Sequence, residues 1–202
     1  MPSSFKIYLY RSMLGWQIGD KVKIGLSYID AEDVTIQSGC CIGHFNLFRN
    51  LRRLHLGENS HVRNFNQFSG VLLGGDFLST FIIQKNVLVM NSHYFDVAGS
   101  ILIESYTTIG GTSSQFWSHG LVMTARGYEM RPSQIRIRAW SYIGARATLI
   151  GCTIPRGSII GAGSVVTKSF PEESTRLLIA GNPADIKKRS HHTLEMLPGL
   201  AD

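Results

Sequence analysis

From Ser141 to Lys168 the chain reads SYIGARATLIGCTIPRGSIIGAGSVVTK, and its aliphatic residues Ile143, Leu149, Ile154, Ile160 and Val166 recur at intervals of six, five, six and six. Gly or Pro follows three of them, and a small residue, Ala147, Ser158 or Ser164, stands four positions further on. This spacing matches neither the 3.6-residue period of an α-helix nor the two-residue alternation of a long strand. It is the period of short strand-and-turn units, each forming one flat side of a solenoid with its aliphatic residue pointing inward. Gly or another small residue suits the corners, where φ is positive or neighbouring coils press close.

The same spacing runs through Ile18-Gly19, Ile24-Gly25, Ile36 and Ile42-Gly43, with a polar position at Asp30, so the solenoid is expected to start near Gln17. Between Phe45 and Gly75 the period weakens, although Leu56-Gly57, Ser60 and Val62 restore it and Asn64, Asn66 and Phe68 follow. Asn and Phe replace inward aliphatics where stacked coils present like residues in register. The pattern resumes at Ile83, Val87 and Val89, then at Ile103, Thr107, Ile109 and Ser113. It stops after SQFWSHG, and LVMTARGYEMRPSQ carries no six-residue repeat before Ile137 and Ile143 restore it. An extruded loop over residues 120–134 is therefore expected, and long loops of this kind are usually functional.

The expected layout is a cap segment (1–16), an all-β solenoid (17–180) with the extruded loop, and a C-terminal segment (181–202). Phe170 to Glu173 are expected to turn away from the coil, Leu177 to Ala180 to make a last strand, and the residues around Glu195 and Leu197 to be weakly helical before Pro198-Gly199. The 202 residues suffice for one domain with a substantial core. Charged residues at 17%, hydrophobic residues at 44% and 21 glycines suit a β-rich repeat protein and argue against disorder.

A net charge of +6 raises the question of nucleic acid. The basic runs Arg49–Arg53 and Lys187–Arg189 are short and lack a DNA- or RNA-binding motif, so a solvated face or a small anionic ligand is the expectation instead. Cys40, Cys41 and Cys152 form no even framework and no C-x-x-C pair, which fits reduced thiols in the cytoplasm. Cys152 reads as an inward small residue. Neither a signal peptide nor an apolar run of transmembrane length is evident. Phe5 to Trp16 mixes aromatic and aliphatic residues with Lys6 and Arg11, a composition compatible with peripheral membrane contact but more often that of a cap over an open solenoid end.

The repeats, the run IIGAGSVVTK (159–168) and the closing AGNPADIKKR (180–189) resemble the hexapeptide-repeat acyltransferases, a left-handed parallel β-helix family, over roughly residues 17–189. NSHYFD (91–96) and IGGTSSQFWSHG (109–120) are most similar to O-acetyltransferases of capsule, lipopolysaccharide and exopolysaccharide biosynthesis. The resemblance implies a homotrimer with sites between neighbouring prisms, acetyl-CoA as donor along the C-terminal coils, a saccharide acceptor and no metal. It also implies one histidine as general base, which falls on His119 at the end of a repeat. Gly120 stands where the family often has Pro or Ser, and Tyr142 where it commonly has Trp, with Trp140 nearby.

Transfer of an acetyl group to a hydroxyl requires removal of its proton during attack, and imidazole, with an unperturbed pKa near 6.5, suits that task. His93 is the second catalytic candidate, flanked by Tyr94 and Asp96. A carboxylate near an imidazole orients its tautomer, yet on a strand Asp96 faces away from His93. Asp96, Ser118 and Arg126 are candidate acceptor-side residues, with Tyr128 and Arg131. By resemblance, Tyr142, Gly144, Ala145, Gly161 and Ala162 are candidates along the pantetheine arm of CoA, and Thr167, Lys168, Lys188 and Arg189 for its phosphates. His44, His55, His61, His191 and His192 read as surface groups. Three rival readings are an N-acetyltransferase of a nucleotide-linked amino sugar, a zinc hydratase, which would need three converging histidines, and a solenoid scaffold without activity.

Overall fold

Three columns of inward side chains run through the molecule, one behind each face of a parallel β-solenoid. The computed structural model describes residues 3–72, 74–171 and 173–189. Each coil passes through three strand ladders in turn. Ile18, Ile36, Leu56, Ile83, Ile103, Ile137 and Ile154 stack behind the first. Ile24, Ile42, Val62, Val89, Ile109, Ile143, Ile160 and Ile179 stack behind the second. Ile29, Phe48, Phe68, Phe95, Phe116, Leu149 and Val166 stack behind the third. The six-residue period is thus one inward residue per face, and nearly all of these side chains lie in the core.

Four phenylalanines of the third column form a continuous stack, with ring centroids 4.3 Å apart for Phe48–Phe68, 4.7 Å for Phe68–Phe95 and 4.4 Å for Phe95–Phe116. The segment expected to be irregular contains the regular strand Leu47–Leu56 and keeps its period through Phe68. The real interruption is at residues 70–79. From Phe48 to Leu54 the chain turns the corner between the third and first faces in six residues, whereas Phe68 to Phe81 takes 13 and Phe116 to Ile135 takes 19. Two insertions therefore leave the solenoid at the same corner, on either side of the coil that carries Val97–Gly99.

The corner between the second and third faces is held by a polar column. Each side chain accepts the backbone N–H of its counterpart one coil on: Ser27 Oγ from Asn46 (3.0 Å), Asn46 Oδ1 from Asn66 (2.9 Å), Asn66 Oδ1 from His93 (2.9 Å), His93 Nδ1 from Ser114 (3.2 Å) and Ser114 Oγ from Ala147 (3.3 Å). The left-handed positions beside it are held mostly by other residues than glycine, among them Phe45, Phe65, Ser92, Ser113 and Arg146. The glycines of the Ile-Gly pairs serve close approach instead: a Cβ on Gly25 would lie 2.3 Å from the carbonyl oxygen of Gly43 in the next coil.

Helix α1, Ser3–Leu14, lies at the first coil. Lys6 Nζ donates to the carbonyls of Ile24 (3.3 Å) and Gly25 (2.8 Å), and the Arg11 guanidinium donates to those of Ile18 and Gly19, binding open-edge groups that no further coil reaches. No helix among the described residues is long and apolar enough to cross a membrane. At the other end Leu177–Gly181 pairs antiparallel with Ala184–Arg189. The expectations for Glu172, His191, His192 and residues 195–199 fall outside the described residues.

Phe95 contacts Phe68 and Phe116 face to face and Phe81 edge on. Phe95→Ala is expected to destabilise the protein by about 3–5 kcal/mol, read as a lower urea midpoint with an unchanged m-value.

Candidate functional site

Along the strand Tyr94–Asp96, Phe95 enters the core and its neighbours point outward. Asp96 pairs in register with Trp117 on the next coil, and the chain then reaches His119, whose ring folds back over Asp96. His119 Nδ1 lies 2.7 Å from Asp96 Oδ1, with the side chains 22% and 9% exposed. A carboxylate only accepts, so it fixes the proton on Nδ1 and leaves the Nε2 lone pair free. The Trp117 and His119 rings meet edge on at 6.4 Å, and Trp117 is itself fixed by its Nε1–H donating to Gln115 Oε1 at 3.2 Å. The pair thus holds the imidazole in one orientation at a surface with Nε2 turned away from the carboxylate, an arrangement able to take a proton from an approaching hydroxyl.

Ser118 does not line this site. It is fully buried; its Oγ donates to the Asp96 carbonyl (2.7 Å) and accepts from Gly99 N–H (2.9 Å). Its carbonyl accepts from Ser133 N–H (2.7 Å), so the exit and return of the insertion are tied at one point. Gly99 is required there, since a Cβ would sit 2.0 Å from the Ser133 carbonyl oxygen. Ser118 therefore holds the backbone under His119 and Asp96 and is no acceptor-side residue.

The insertion itself is an antiparallel ribbon, His119–Thr124 with Gly127–Pro132, where an unpatterned loop over 120–134 was expected. Ser133 and Gln134 already belong to the next coil. Arg126 occupies the turn, five residues along an extended strand from the Thr124 pairing back to His119, or roughly 17 Å. It is not brought to His119.

His93 is the clearest correction. It is a member of the corner column, 1% exposed, with Nδ1 accepting from Ser114 and Nε2 without a hydrogen-bond partner among the described residues. Burial lowers its pKa to about 4. It cannot touch a substrate on the outer face where Asp96 and His119 meet, nor join His119 around a metal. No group of three or more His, Cys, Asp or Glu side chains among the described residues is placed to hold one.

A strip of small residues follows the second-face column. Gly110, Gly144, Gly161 and Ala180 come next after Ile109, Ile143, Ile160 and Ile179. A Cβ on Gly110 would meet the Tyr142 ring, and one on Gly144 would lie 2.7 Å from Ala162 N. Tyr142, Gly144, Ala145 and Ala162 therefore share one smooth corner. Thr167 and Lys168 follow Val166 at the next corner, in line with Trp117-Ser118 and Ile150-Gly151 and one face away from the strip; both are exposed, and Lys168 pairs with Asp185 at 3.2 Å. Lys188 and Arg189 pair with Leu178 and Leu177 at the opposite end of the last strand. The cation at the end of the strip is Lys187, whose Nζ lies 3.7 Å from a Cβ built on Gly181, and sequence position alone did not separate it from Lys188. The strip and His119 occupy different corners of one prism, with the strand Gln115–Trp117, roughly 10 Å long, between them.

No protein-family profile matches the chain. A provisionally named acetyltransferase of Staphylococcus aureus strain Mu50 is 39% identical over 114 residues, which are 54% of this chain and 55% of that protein. The chain thus matches over about half the length of this curated relative. An N-acyltransferase from Bacillus cereus, solved with dTDP and 3-hydroxybutyryl-CoA, superposes with a TM-score of 0.58 at 15% identity, covering 93% of this chain and 88% of its own. A hexapeptide-repeat acetyltransferase from Vibrio cholerae, solved with acetyl-CoA, covers 94% of this chain and 78% of its own at 18% identity and a TM-score of 0.46. The Bacillus cereus likeness establishes the fold.

The unfolded chain protonates a histidine near pH 6.5, whereas His93 in the folded protein resists protonation until about pH 4. Its contribution is therefore complete above pH 6.5 and lost as the pH falls toward 4, on the order of 3 kcal/mol in all. His93→Asn supplies the same acceptor without a titrating group, as Asn46 and Asn66 do. Urea unfolding at pH 7 and pH 4 is expected to show a smaller acid loss in the variant than in the wild type.

Proposed function

We propose that the protein is an acetyl-CoA-dependent O-acetyltransferase that acylates a sugar hydroxyl in polysaccharide biosynthesis (capsule, lipopolysaccharide or exopolysaccharide), working in the cytoplasm as a homotrimer of left-handed prisms. The observation that carries this reading is the His119–Asp96 pair at the base of the ribbon. The acetyltransferase naming of the Staphylococcus aureus relative and the acyl-CoA bound by the Bacillus cereus protein support it.

In this reading His119 Nε2 takes the proton of the acceptor hydroxyl as its oxygen attacks the thioester carbonyl carbon. The C–O bond forms, the C–S bond breaks, and the imidazolium returns the proton to the departing thiolate. Asp96 stabilises the imidazolium and prevents the ring from presenting Nδ1 to the acceptor; it is a positioning residue. The small-residue strip, with Tyr142, Gly144, Ala145 and Ala162, offers a surface without side-chain obstruction for the pantetheine arm, and Lys187 stands at its end as a phosphate partner. Because strip and base lie at different corners of a single prism, His119 of a neighbouring copy completes each site, which is the reason for assigning a trimer.

His119→Ala is expected to lower kcat by about 10²–10⁴-fold while acetyl-CoA still raises the melting temperature. Turnover at the wild-type rate would overturn the assignment of the base. Release of the product acetyl group by mild alkali identifies an ester; an alkali-stable product would turn the reading to amide formation on an amino sugar. In Asp96→Asn, a fall in kcat with little change in KM is the expected mark of lost orientation.

A further inference from the structure

Around the corner from His119 lies a groove of about 770 Å³ between the two insertions. Gly99 and Ser100 form its floor, Asp76 and Leu78 of the 70–79 insertion one wall, and Glu129 and Arg131 of the ribbon the other. The ribbon's register explains why the second wall is polar. Leu121, Met123, Tyr128 and Met130 face each other across the strands on one side, together with His119 and Pro132. Glu129 and Arg131 project from the opposite side, toward the floor. Asp76, Glu129 and Arg131 make no ion pair and no side-chain hydrogen bond among the described residues.

We propose that this groove binds the part of a glycan chain next to the sugar presented to His119, so that the acceptor is an oligosaccharide or polymer instead of a free monosaccharide. The proposal rests on the saccharide-acceptor reading above. Three observations carry it. The groove lies next to the site along the chain: Asp96 ends the strand, the buried Val97 and Ala98 turn the corner, and Gly99 begins the floor, while Pro132, which pairs with His119, also borders the groove. Its lining is that of a polyol site: two carboxylates that accept from hydroxyls, a guanidinium that donates to hydroxyl or ring oxygens, and apolar Leu78 and Pro132 for the C–H faces of sugar rings. Its size lies in the upper part of the range of about 300–1,000 Å³ for small-molecule sites, and a single sugar held at His119 would leave it empty.

The test is calorimetric titration of the full chain, without acetyl-CoA, using maltohexaose, N-acetylchitohexaose and a galacturonate hexamer, each beside its own monosaccharide. At least one hexamer is expected to bind about tenfold or more tightly than its monosaccharide. The triple variant Asp76→Ala, Glu129→Ala, Arg131→Ala is expected to lose that advantage while keeping its stabilisation by CoA, which reports an intact fold. Absence of a length advantage with all three hexamers, or its persistence in the triple variant, overturns the groove assignment. The two readings fail separately. Hexamer binding lost in the variant, but with no acetyl transfer by the wild type, leaves the groove standing and removes the transferase. Transfer to a monosaccharide with no preference for length does the reverse.

Discussion

The coils from Ser27 to Ala147 depend on the satisfaction of backbone groups at their corners. Along the faces, parallel strands exchange hydrogen bonds as any sheet does, but at a corner the chain turns and the ladder is interrupted. A buried N–H left unpaired there would cost on the order of 1–3 kcal/mol, repeated at each level. The column Ser27, Asn46, Asn66, His93 and Ser114 answers this need with one short acceptor per coil. The side chain that fills the corner must be small or planar and must carry an acceptor at a fixed reach, which is why Ser, Asn and one His occupy equivalent places.

Much of this was legible in the sequence because a solenoid repeats its environment. One inward residue per face produces the period of six, and the Phe stack follows from the same inward place recurring one coil later. What periodicity conveys poorly is where an insertion leaves. Residues 70–79 depart after a regular strand, so their effect on the pattern was spread back toward Phe45 and looked like weakening. The ribbon also left a trace that a search for sixfold spacing passes over: Leu121 and Met123, then Tyr128 and Met130, alternate on either side of Gly127, whose φ is 117°.

The candidate site was legible in part. His119 was singled out as a candidate by its place at a break and by resemblance, and the alternation along the strand set Asp96 on the side away from His93, as the structure has it. Its partner lies 23 residues ahead, close to the length of one coil, so stacking brings together residues distant in sequence. His93 was misread because a histidine beside an aspartate looks chemical. Its spacing from Asn66, 27 residues, equals that from Phe68 to Phe95, and this common interval is the signature of a shared corner.

The two insertions share a construction whose consequence reaches beyond this chain. Each is closed where it leaves the coil: Val71 and Ser79 bond to each other through the Ser79 hydroxyl, and Ser118 and Ser133 meet through their backbones. The solenoid therefore senses only two fixed anchor points and not the length of chain between them, and lengthening a closed loop costs only about 0.6 kcal/mol per doubling. Such segments are interchangeable cassettes. Grafting a segment of different length or composition between Val71 and Ser79, or between Gly120 and Arg131 of the ribbon, would leave the coil register and the His119–Asp96 pair in place while changing what stands beside them.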